Sequence, residues 1–126
     1  MTTRRYMSRI LLPIVALGAT TLAACAAPDG TPVVEDKFPD AISTDGLARL
    51  RACEAGGDYG SVGGGGSFRG AYQFTRQTWN ATAGRFYPEL QGVDPAAAAP
   101  WDQDRMARAL WAIGGPRNWP VCSKRV

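Results

Sequence analysis

Histidine is absent from this chain of 126 residues, and its three cysteines include no Cys-x-x-Cys pair. Protein zinc sites are built mainly from these two residue types, with two ligands commonly a few positions apart. The composition therefore argues against a metal centre, and no motif indicates a cofactor. We expect the protein to work without either.

A long hydrophobic run is also missing. The apolar stretch at residues 10–17 is too short for a standard membrane-spanning helix. It follows three arginines and precedes Leu22-Ala23-Ala24-Cys25, which is the arrangement of an export signal. Residues 1–24 are therefore predicted to be a signal peptide. The Arg4-Arg5 pair resembles a twin-arginine signal, but a general secretory signal fits better.

The cysteine at position 25 gives that signal a further meaning. Small residues directly before Cys25 resemble a bacterial lipoprotein processing site, where the cysteine becomes the lipidated first residue of the mature protein. An ordinary signal peptide is the alternative. The lipoprotein interpretation predicts an exported protein that Cys25 anchors to the outer face of the membrane. It leaves Cys53 and Cys122 as a pair that can close a loop of roughly 70 residues, worth about 4 kcal/mol.

Outside the predicted signal peptide, neither positive nor negative charge is in excess. The formal net charge is +3, from 14 basic and 11 acidic residues. Three of the basic residues lie in the signal, whereas every acidic residue lies beyond position 25. The remainder is balanced, so we expect no nucleic-acid partner.

The rest of the chain is predicted to form a flexible tether, residues 25–40, and one folded domain, residues 41–126. The tether contains several prolines and lacks helical periodicity. The domain has enough apolar residues for a single core and shows no internal repeat. We expect the α+β class, mainly α, with short helices around a small irregular β region.

Capping and helix-breaking residues predict where the helices lie. The first is capped by Ser43 or Thr44 and ends at Gly56, and the second is capped by Thr75 and ends before Gly84. The other predicted elements are glycine-punctuated loops with an irregular hairpin over 58–72, an alanine-rich helical segment opened by Asp94-Pro95, and a helix from about Pro100 to Ile113.

Glu54 is the most informative residue of this domain. It lies near the end of the first predicted helix, four residues after Leu50 and beside the apolar stripe of that helix. A carboxyl group at this place can face a groove and donate a proton. Glutamate on a helix is more often a solvated surface residue, and that alternative stays open here.

Several short motifs follow one another along the domain. They are Leu50-Arg51-Ala52-Cys53-Glu54-Ala55-Gly56-Gly57, Gly70-Ala71-Tyr72-Gln73-Phe74, Thr78-Trp79, Gln103 and Trp119-Pro120-Val121-Cys122. Together they resemble the transglycosylase-like domain of resuscitation-promoting factors, within the lysozyme-like superfamily. The resemblance implies a small lysozyme-like fold, a Cys53–Cys122 disulfide and an activity that cleaves the glycan strands of peptidoglycan. It also places the catalytic acid on Glu54.

The chemistry of that cleavage fits a carboxylic acid in an apolar setting. Breaking the β-1,4 bond between N-acetylmuramic acid and N-acetylglucosamine requires a proton on the leaving oxygen. An apolar setting raises the pKa of a carboxyl group and keeps it protonated near neutral pH. We expect the Cys53 disulfide, with Tyr72, Phe74 or Trp79, to provide this setting for Glu54.

Three more residues are candidates for substrate contact. Gln73 can hydrogen-bond an N-acetyl or hydroxyl group, and Tyr72 can stack on a sugar face. The alternative for both is a strand that packs its aromatic residues and leaves Gln73 exposed. Asp58 is the carboxylate nearest in sequence to Glu54, and it is either a second functional carboxylate or a turn-forming residue.

Other arginine and tryptophan residues receive weaker assignments. Arg69 and Arg76 are candidates for contact with the carboxylates of stem peptides. Trp119 is expected to pack on the disulfide, and the tryptophans expected in the core are Trp79, Trp101 and Trp111.

The leading hypothesis is an exported lytic transglycosylase or muramidase with Glu54 as general acid. A non-catalytic peptidoglycan-binding lipoprotein is the main alternative, and a disulfide-stapled inhibitor or structural lipoprotein is a third. The expected partners are glycan strands, the membrane through the Cys25 anchor, and a wall endopeptidase. Hydrolysis and formation of a 1,6-anhydro product are both open at this stage.

Overall fold

The computed structural model describes residues 34–126. Cys25, the predicted signal peptide and most of the predicted tether lie outside these residues. The helices are α1 (Thr44–Ala55), α2 (Arg76–Phe86) and α3 (Pro100–Gly114), and the strands are β1 (Val62–Gly63) and β2 (Phe68–Arg69). Short 3-10 turns occur at Gly64–Gly66, Pro88–Leu90, Gly115–Asn118 and Cys122–Arg125. The mainly helical α+β class is confirmed. No helix within residues 34–126 is both long and apolar enough to cross a membrane.

Both ends of α1 follow from the sequence. The Ser43 hydroxyl accepts a hydrogen bond from the Gly46 amide at 2.9 Å, as an N-cap residue does. At the other end Gly56 adopts the left-handed conformation, with φ of 63°, and its amide donates to the Ala52 carbonyl. The predicted cap and stop of this helix are confirmed, and its buried face carries Leu47 and Leu50.

The second helix is longer than predicted. Thr75 caps α2 as expected, since its side chain accepts from the Thr78 amide. The helix nevertheless continues through Gly84 to Phe86, so the predicted end is wrong. A glycine inside a helix costs only about 1 kcal/mol, and the burial of Trp79 on the same helix outweighs that penalty.

The segment opened by Asp94-Pro95 forms a turn rather than a helix. The Asp94 carbonyl accepts from the amides of Ala97 and Ala98, at 2.9 and 3.0 Å, and no further helical turn follows. The reason is Pro100, which disfavours helical geometry at the residue before it and leaves Ala99 extended, with ψ of 147°. The predicted alanine-rich helix is therefore wrong, and α3 begins only at Pro100.

The tryptophans occupy different layers of the structure. Trp79 is fully buried in the core, as predicted, and its indole N–H donates to the Leu90 carbonyl. Trp119 is buried in the same core cluster as Cys122. Trp111 is only partly buried and stacks on Trp119, with 5.9 Å between ring centroids. Trp101 is 38% exposed, so its assignment to the core is wrong. Its ring instead lies against the guanidinium of the buried Arg105, with 4.5 Å between the ring centroid and the guanidinium carbon.

Residues 35–40 belong to the folded unit and not to a tether. This compact unit spans Glu35–Val126. Asp36 pairs with Arg108 at 2.8 Å, and the Lys37 amide donates to the Tyr87 hydroxyl at 2.9 Å. The Phe38 ring also packs edge-on against an aromatic residue of α2. The predicted tether therefore extends too far along the chain.

Gln103 joins three segments of the fold. Its side chain is fully buried on α3, and its Oε1 accepts from the Ala71 amide at 2.8 Å. Its Nε2 donates to the carbonyls of Tyr59 and Ala98, each at 3.0 Å. A side chain at Gly70, where φ is 79°, would collide with Gln103 Oε1, so this glycine is required for the close approach.

We expect Gln103→Leu to lower the free energy of unfolding by about 3 kcal/mol, because three buried backbone groups lose their partner. Urea unfolding followed by circular dichroism measures this change. Gln77→Leu on the exposed side of α2 is the control and should shift stability by less than about 0.5 kcal/mol. Equal stabilities of the two variants would contradict the assigned role of Gln103.

Candidate active site

The end of α1 and the C-terminal segment are joined by a disulfide. Cys53 and Cys122 are bonded, with 5.6 Å between their Cα atoms and 69 positions between them in sequence. The predicted pairing is therefore confirmed. Because Glu54 follows Cys53 directly, the bond ties the backbone of Glu54 to a C-terminal segment that lines the same groove.

This groove has a volume of about 420 Å³ and is open to solvent. We call it the Glu54 groove. Apart from Glu54, its walls come from the hairpin, the segment after it and the C-terminal segment, and they consist of Phe68, Gln73, Asn118, Trp119, Pro120, Val121 and Cys122. Among these described lining residues Glu54 is the single carboxylate.

Burial among these walls raises the pKa of the Glu54 carboxyl group above its ordinary value. The physical cause is desolvation, which disfavours the anion. Within residues 34–126 no cation lies at ion-pairing distance from this carboxylate to oppose the shift. A group in this state can hold a proton at a higher pH than a solvated glutamate does.

Cys122 of the expected disulfide lines the groove, but the aromatic neighbours of Glu54 are not the ones expected from the sequence. Phe74 and Trp79 are buried in the core and do not line the Glu54 groove. Phe68 and Trp119 line it instead. Phe68 keeps its ring 45% exposed there, so it offers the open aromatic face that a sugar can stack on. Phe68 follows closely after the glycine run, which was the feature of the sequence that could have indicated a groove residue. It was not predicted.

Gln73 lies in the groove wall in an uncommon backbone conformation. Its φ is 51°, which is the left-handed region that non-glycine residues rarely adopt. Its Nε2 donates to the Gly70 carbonyl at 2.9 Å, and its Oε1 is packed so closely against Gly63 that a side chain there would collide with it. A strained residue held this firmly at a groove is typical of a functional site.

Tyr72 is not a sugar-stacking surface. It is 0% exposed, and its hydroxyl donates to Asp104 and accepts from Arg51 at 3.3 Å. Tyr59 donates to the same carboxylate at 2.8 Å. Desolvation, aided by Asp104, raises the pKa of Tyr59 to about 12 and raises that of Tyr72 further, so both remain donors. The cluster links α1 to α3 one turn before Glu54 and so fixes the direction in which α1 ends.

The family comparison can be set against this geometry. A model of the transglycosylase-like domain matches residues 41–122, about two thirds of the chain. The chain belongs to the transglycosylase-like domain family. The resemblance predicted from the motifs is therefore confirmed.

Individual relatives of this transglycosylase-like domain are similar at moderate identity. The probable transglycosylase SceD of Staphylococcus epidermidis is 37% identical over 73 residues, which are 58% of this chain and 32% of that protein. The resuscitation-promoting factor Rpf of Micrococcus luteus is 29% identical over 125 residues, 99% of this chain and 50% of that one. RpfD of Mycobacterium tuberculosis is 32% identical over 94 residues, 75% and 53% respectively. The matched region thus covers between 32% and 53% of the length of these relatives.

Asp58 forms a turn at the start of the loop that follows α1 in this transglycosylase-like domain. Its carboxylate accepts from the Gly60 amide at 2.8 Å, and its carbonyl accepts from the Ser61 amide. The side chain is exposed and does not line the Glu54 groove. The turn alternative is therefore confirmed, whereas the assignment of Asp58 to substrate binding stays a prediction.

We expect Asp58→Asn to leave cleavage of cell-wall material within about twofold of the parent, because asparagine makes the same turn. The rate of solubilisation of purified sacculi measures this. A loss of a hundredfold or more would restore Asp58 as a second catalytic carboxylate.

Arg69 and Arg76 both pair with one carboxylate of the protein. Both donate to Asp94, Arg69 through two nitrogens and Arg76 at 3.1 Å. The hydrogen bonds from Arg69 are the main cause that lowers the pKa of Asp94 to about 2. Asp94 is therefore an anion at any ordinary pH and holds both guanidinium groups. The Arg76 side chain is still 57% exposed, and contact of these arginines with stem peptides stays a prediction.

Proposed function

We propose that this domain cleaves the glycan strands of peptidoglycan at the β-1,4 bond between N-acetylmuramic acid and N-acetylglucosamine, with Glu54 as general acid. The observation that carries the proposal is a carboxyl group in an open groove, desolvated by apolar walls and without a cationic partner in the described residues. Membership of the transglycosylase-like family supports the same class of reaction.

In the first step the protonated Glu54 carboxyl gives its proton to the glycosidic oxygen. The bond between that oxygen and C1 of muramic acid breaks, the oxygen leaves as the O4 hydroxyl of glucosamine, and positive charge develops at C1. Glu54 becomes a carboxylate close to that charge. The apolar side chains in the groove walls strengthen this attraction relative to open water.

The second step requires a nucleophile. Enzymes that hydrolyse glycosides commonly use a second carboxylate, as nucleophile or as base for water. The described lining of the Glu54 groove offers no such residue. We therefore propose that the C6 hydroxyl oxygen of the same muramic acid attacks C1, while Glu54 takes the hydroxyl proton. This closes a 1,6-anhydro ring and returns Glu54 to its protonated form.

Other lining residues supply the contacts that position the sugar. The amides of Gln73 and Asn118 can hydrogen-bond N-acetyl and hydroxyl groups, and the exposed ring of Phe68 can stack on a sugar face. These roles fit the rigidity of the wall, since Gln73 is held by its bond to Gly70. Because these contacts are rigidly placed, binding of the sugar also orients the bond that reacts.

Digestion of purified sacculi followed by mass spectrometry tests the proposal. We expect soluble muropeptides that end in 1,6-anhydromuramic acid. A reducing end instead would show that water is the nucleophile. Only the second step of the proposed mechanism would then have to be replaced. Absence of any soluble product from folded protein would favour the alternative, a wall-binding protein without catalysis.

The pH dependence of kcat/KM should report the raised pKa of Glu54. The acid must be protonated, so the rate falls as pH rises through that pKa, and this falling limb should lie above the pH at which an ordinary glutamate ionises. The Asp58→Asn variant should give the same profile. A falling limb at the pH of a solvated glutamate would contradict the proposed acid.

Peptidoglycan lies outside the cytoplasmic membrane, so this function requires export. The predicted signal peptide and the lipidation of Cys25 would supply export and an anchor at the outer face of the membrane. Both remain predictions, since residues 1–33 lie outside the described part of the chain. A wall endopeptidase as partner also remains a prediction.

A further inference from the structure

The Glu54 groove continues along the protein surface. An adjoining cavity of about 130 Å³ shares four of its lining residues with the Glu54 groove: Phe68, Gln73, Asn118 and Trp119. Beyond it lies a third cavity of about 510 Å³ between α2 and α3, which shares Thr78 and Leu110 with the second. The three cavities therefore adjoin one another in series, with the Glu54 groove at one end.

The third cavity, which we call the distal furrow, differs in chemistry from the Glu54 groove. Its lining consists of Gln77, Thr78, Ala81, Thr82, Arg85, Leu110 and Ile113. The described lining contains no aromatic residue that could stack on a sugar. Ile113 is 43% exposed there, so apolar surface is open to a ligand. Thr78 and Arg85 are seven residues apart on α2, which places the arginine roughly 10 Å further along the furrow.

Arg85 is a cation available to a ligand. No carboxylate within residues 34–126 lies at ion-pairing distance from it, and its guanidinium rests 4.9 Å from the centre of the Phe86 ring. Arg69 and Arg76, by contrast, are held by Asp94. Guanidinium groups bind carboxylates through paired hydrogen bonds, so the end of the distal furrow suits an anionic group.

We propose that the distal furrow binds the stem peptide carried by the glycan strand, with Arg85 pairing to a peptide carboxylate. A short anionic peptide rich in alanine matches both features: its methyl groups fit against Ala81, Leu110 and Ile113, and its carboxylates fit the cation. A neutral sugar would match neither. The cavity between the distal furrow and the Glu54 groove adjoins both, so such a peptide and the bond to be cleaved can belong to the same ligand molecule. This inference rests on the proposed function and adds a second contact, to the stem peptide, that sets the specificity for peptide-bearing glycan.

Equilibrium binding to the full-length Glu54→Gln protein tests the proposal without consuming the ligand. Two soluble ligands are compared: glycan fragments that carry intact stem peptides, and the same fragments after an amidase has removed the peptides. Adding Arg85→Gln should weaken binding of the peptide-bearing fragments by about fivefold, the upper range for an exposed ion pair. Binding of the stripped fragments should not change.

Arg49→Gln provides the matched control. Arg49 is an arginine on α1 whose side chain is 50% exposed and paired with Asp45, and it lines none of the three cavities. Its replacement should leave both affinities unchanged. Arg85→Lys should restore part of the loss, and raised salt should shrink the advantage of the peptide-bearing ligand.

Equal loss for both ligands, or no loss for either, would overturn the role of Arg85, as would failure of the Glu54→Gln protein to bind either ligand. The proposed catalysis can fail independently of the proposed peptide binding. If the parent protein cleaves neither ligand while the peptide-dependent effect of Arg85→Gln persists, the distal furrow stands and the enzymatic role of Glu54 does not.

Discussion

Replacing Glu54 by glutamine is expected to reduce the cleavage of purified peptidoglycan by about 10²- to 10⁴-fold, the range over which a positioned general acid contributes. Glutamine keeps the size and hydrogen-bonding shape of the side chain but has no acidic proton to give. The loss should appear in kcat, because the leaving oxygen needs the proton only as the glycosidic bond breaks. Release of soluble muropeptides over time measures it.

Stability separates this effect from unfolding. The pKa of Glu54 is raised in the folded protein, so above that pKa the folded state bears a desolvated anion that the unfolded state solvates. Below the unfolded pKa both states are protonated and the penalty vanishes. Glu54→Gln should therefore be more stable than the parent at pH 7 and equally stable near pH 3, as measured by thermal unfolding.

Asp45→Asn is the matched control for this carboxylate-to-amide change. Asp45 lies in the first turn of α1, the helix that carries Glu54, and its exposed side chain pairs with Arg49 outside the groove. Its replacement should leave cleavage within about twofold and change stability by less than about 1 kcal/mol. Activity of Glu54→Gln comparable to that of Asp45→Asn would remove Glu54 from the chemistry.

Removing the disulfide is expected to give the largest change in stability. For a separation of 69 residues the chain-entropy model gives about 4 kcal/mol. Small domains have total stabilities of only about 5–15 kcal/mol, so this is a large share. The double variant Cys53→Ser, Cys122→Ser should show a correspondingly lower urea midpoint. It should also lose activity, because the bond joins Cys122 to the residue directly before Glu54 and both Cys122 and Glu54 line the groove.

A reducing agent supplies the internal control. Wild-type protein under full reduction should match the double variant, and the double variant itself should not respond to the reductant. A stability loss below about 1 kcal/mol in the double variant would mean that the bond does not constrain the unfolded chain as inferred.

Local signals predicted the elements that hold Glu54. Ser43 and Gly56 define α1 through contacts within one helical turn, so the sequence is sufficient to place both ends. The motif order gave the family and the disulfide, which are confirmed. The direction of the pKa shift of Glu54 was also predicted, although from the wrong aromatic neighbours.

The errors concern contacts between residues far apart in sequence. The segment from Glu35 carries no periodic pattern, and the Asp36–Arg108 pair that holds it joins positions 72 apart. Nothing local distinguishes the buried Tyr72 from an exposed tyrosine, since Asp104 lies 32 residues further along. The exposed Phe68, and Arg85 with no carboxylate partner in the described part of the chain, likewise acquire meaning only when cavities from separate elements meet.

The most direct test of the central claim is an NMR titration of the Glu54 side-chain carboxyl carbon, assigned by comparison with Glu54→Gln. The account predicts a pKa above that of a solvated glutamate. A Glu54 carboxyl that titrates like a free glutamate would show that the groove does not hold its proton, and general-acid catalysis by this residue would be ruled out.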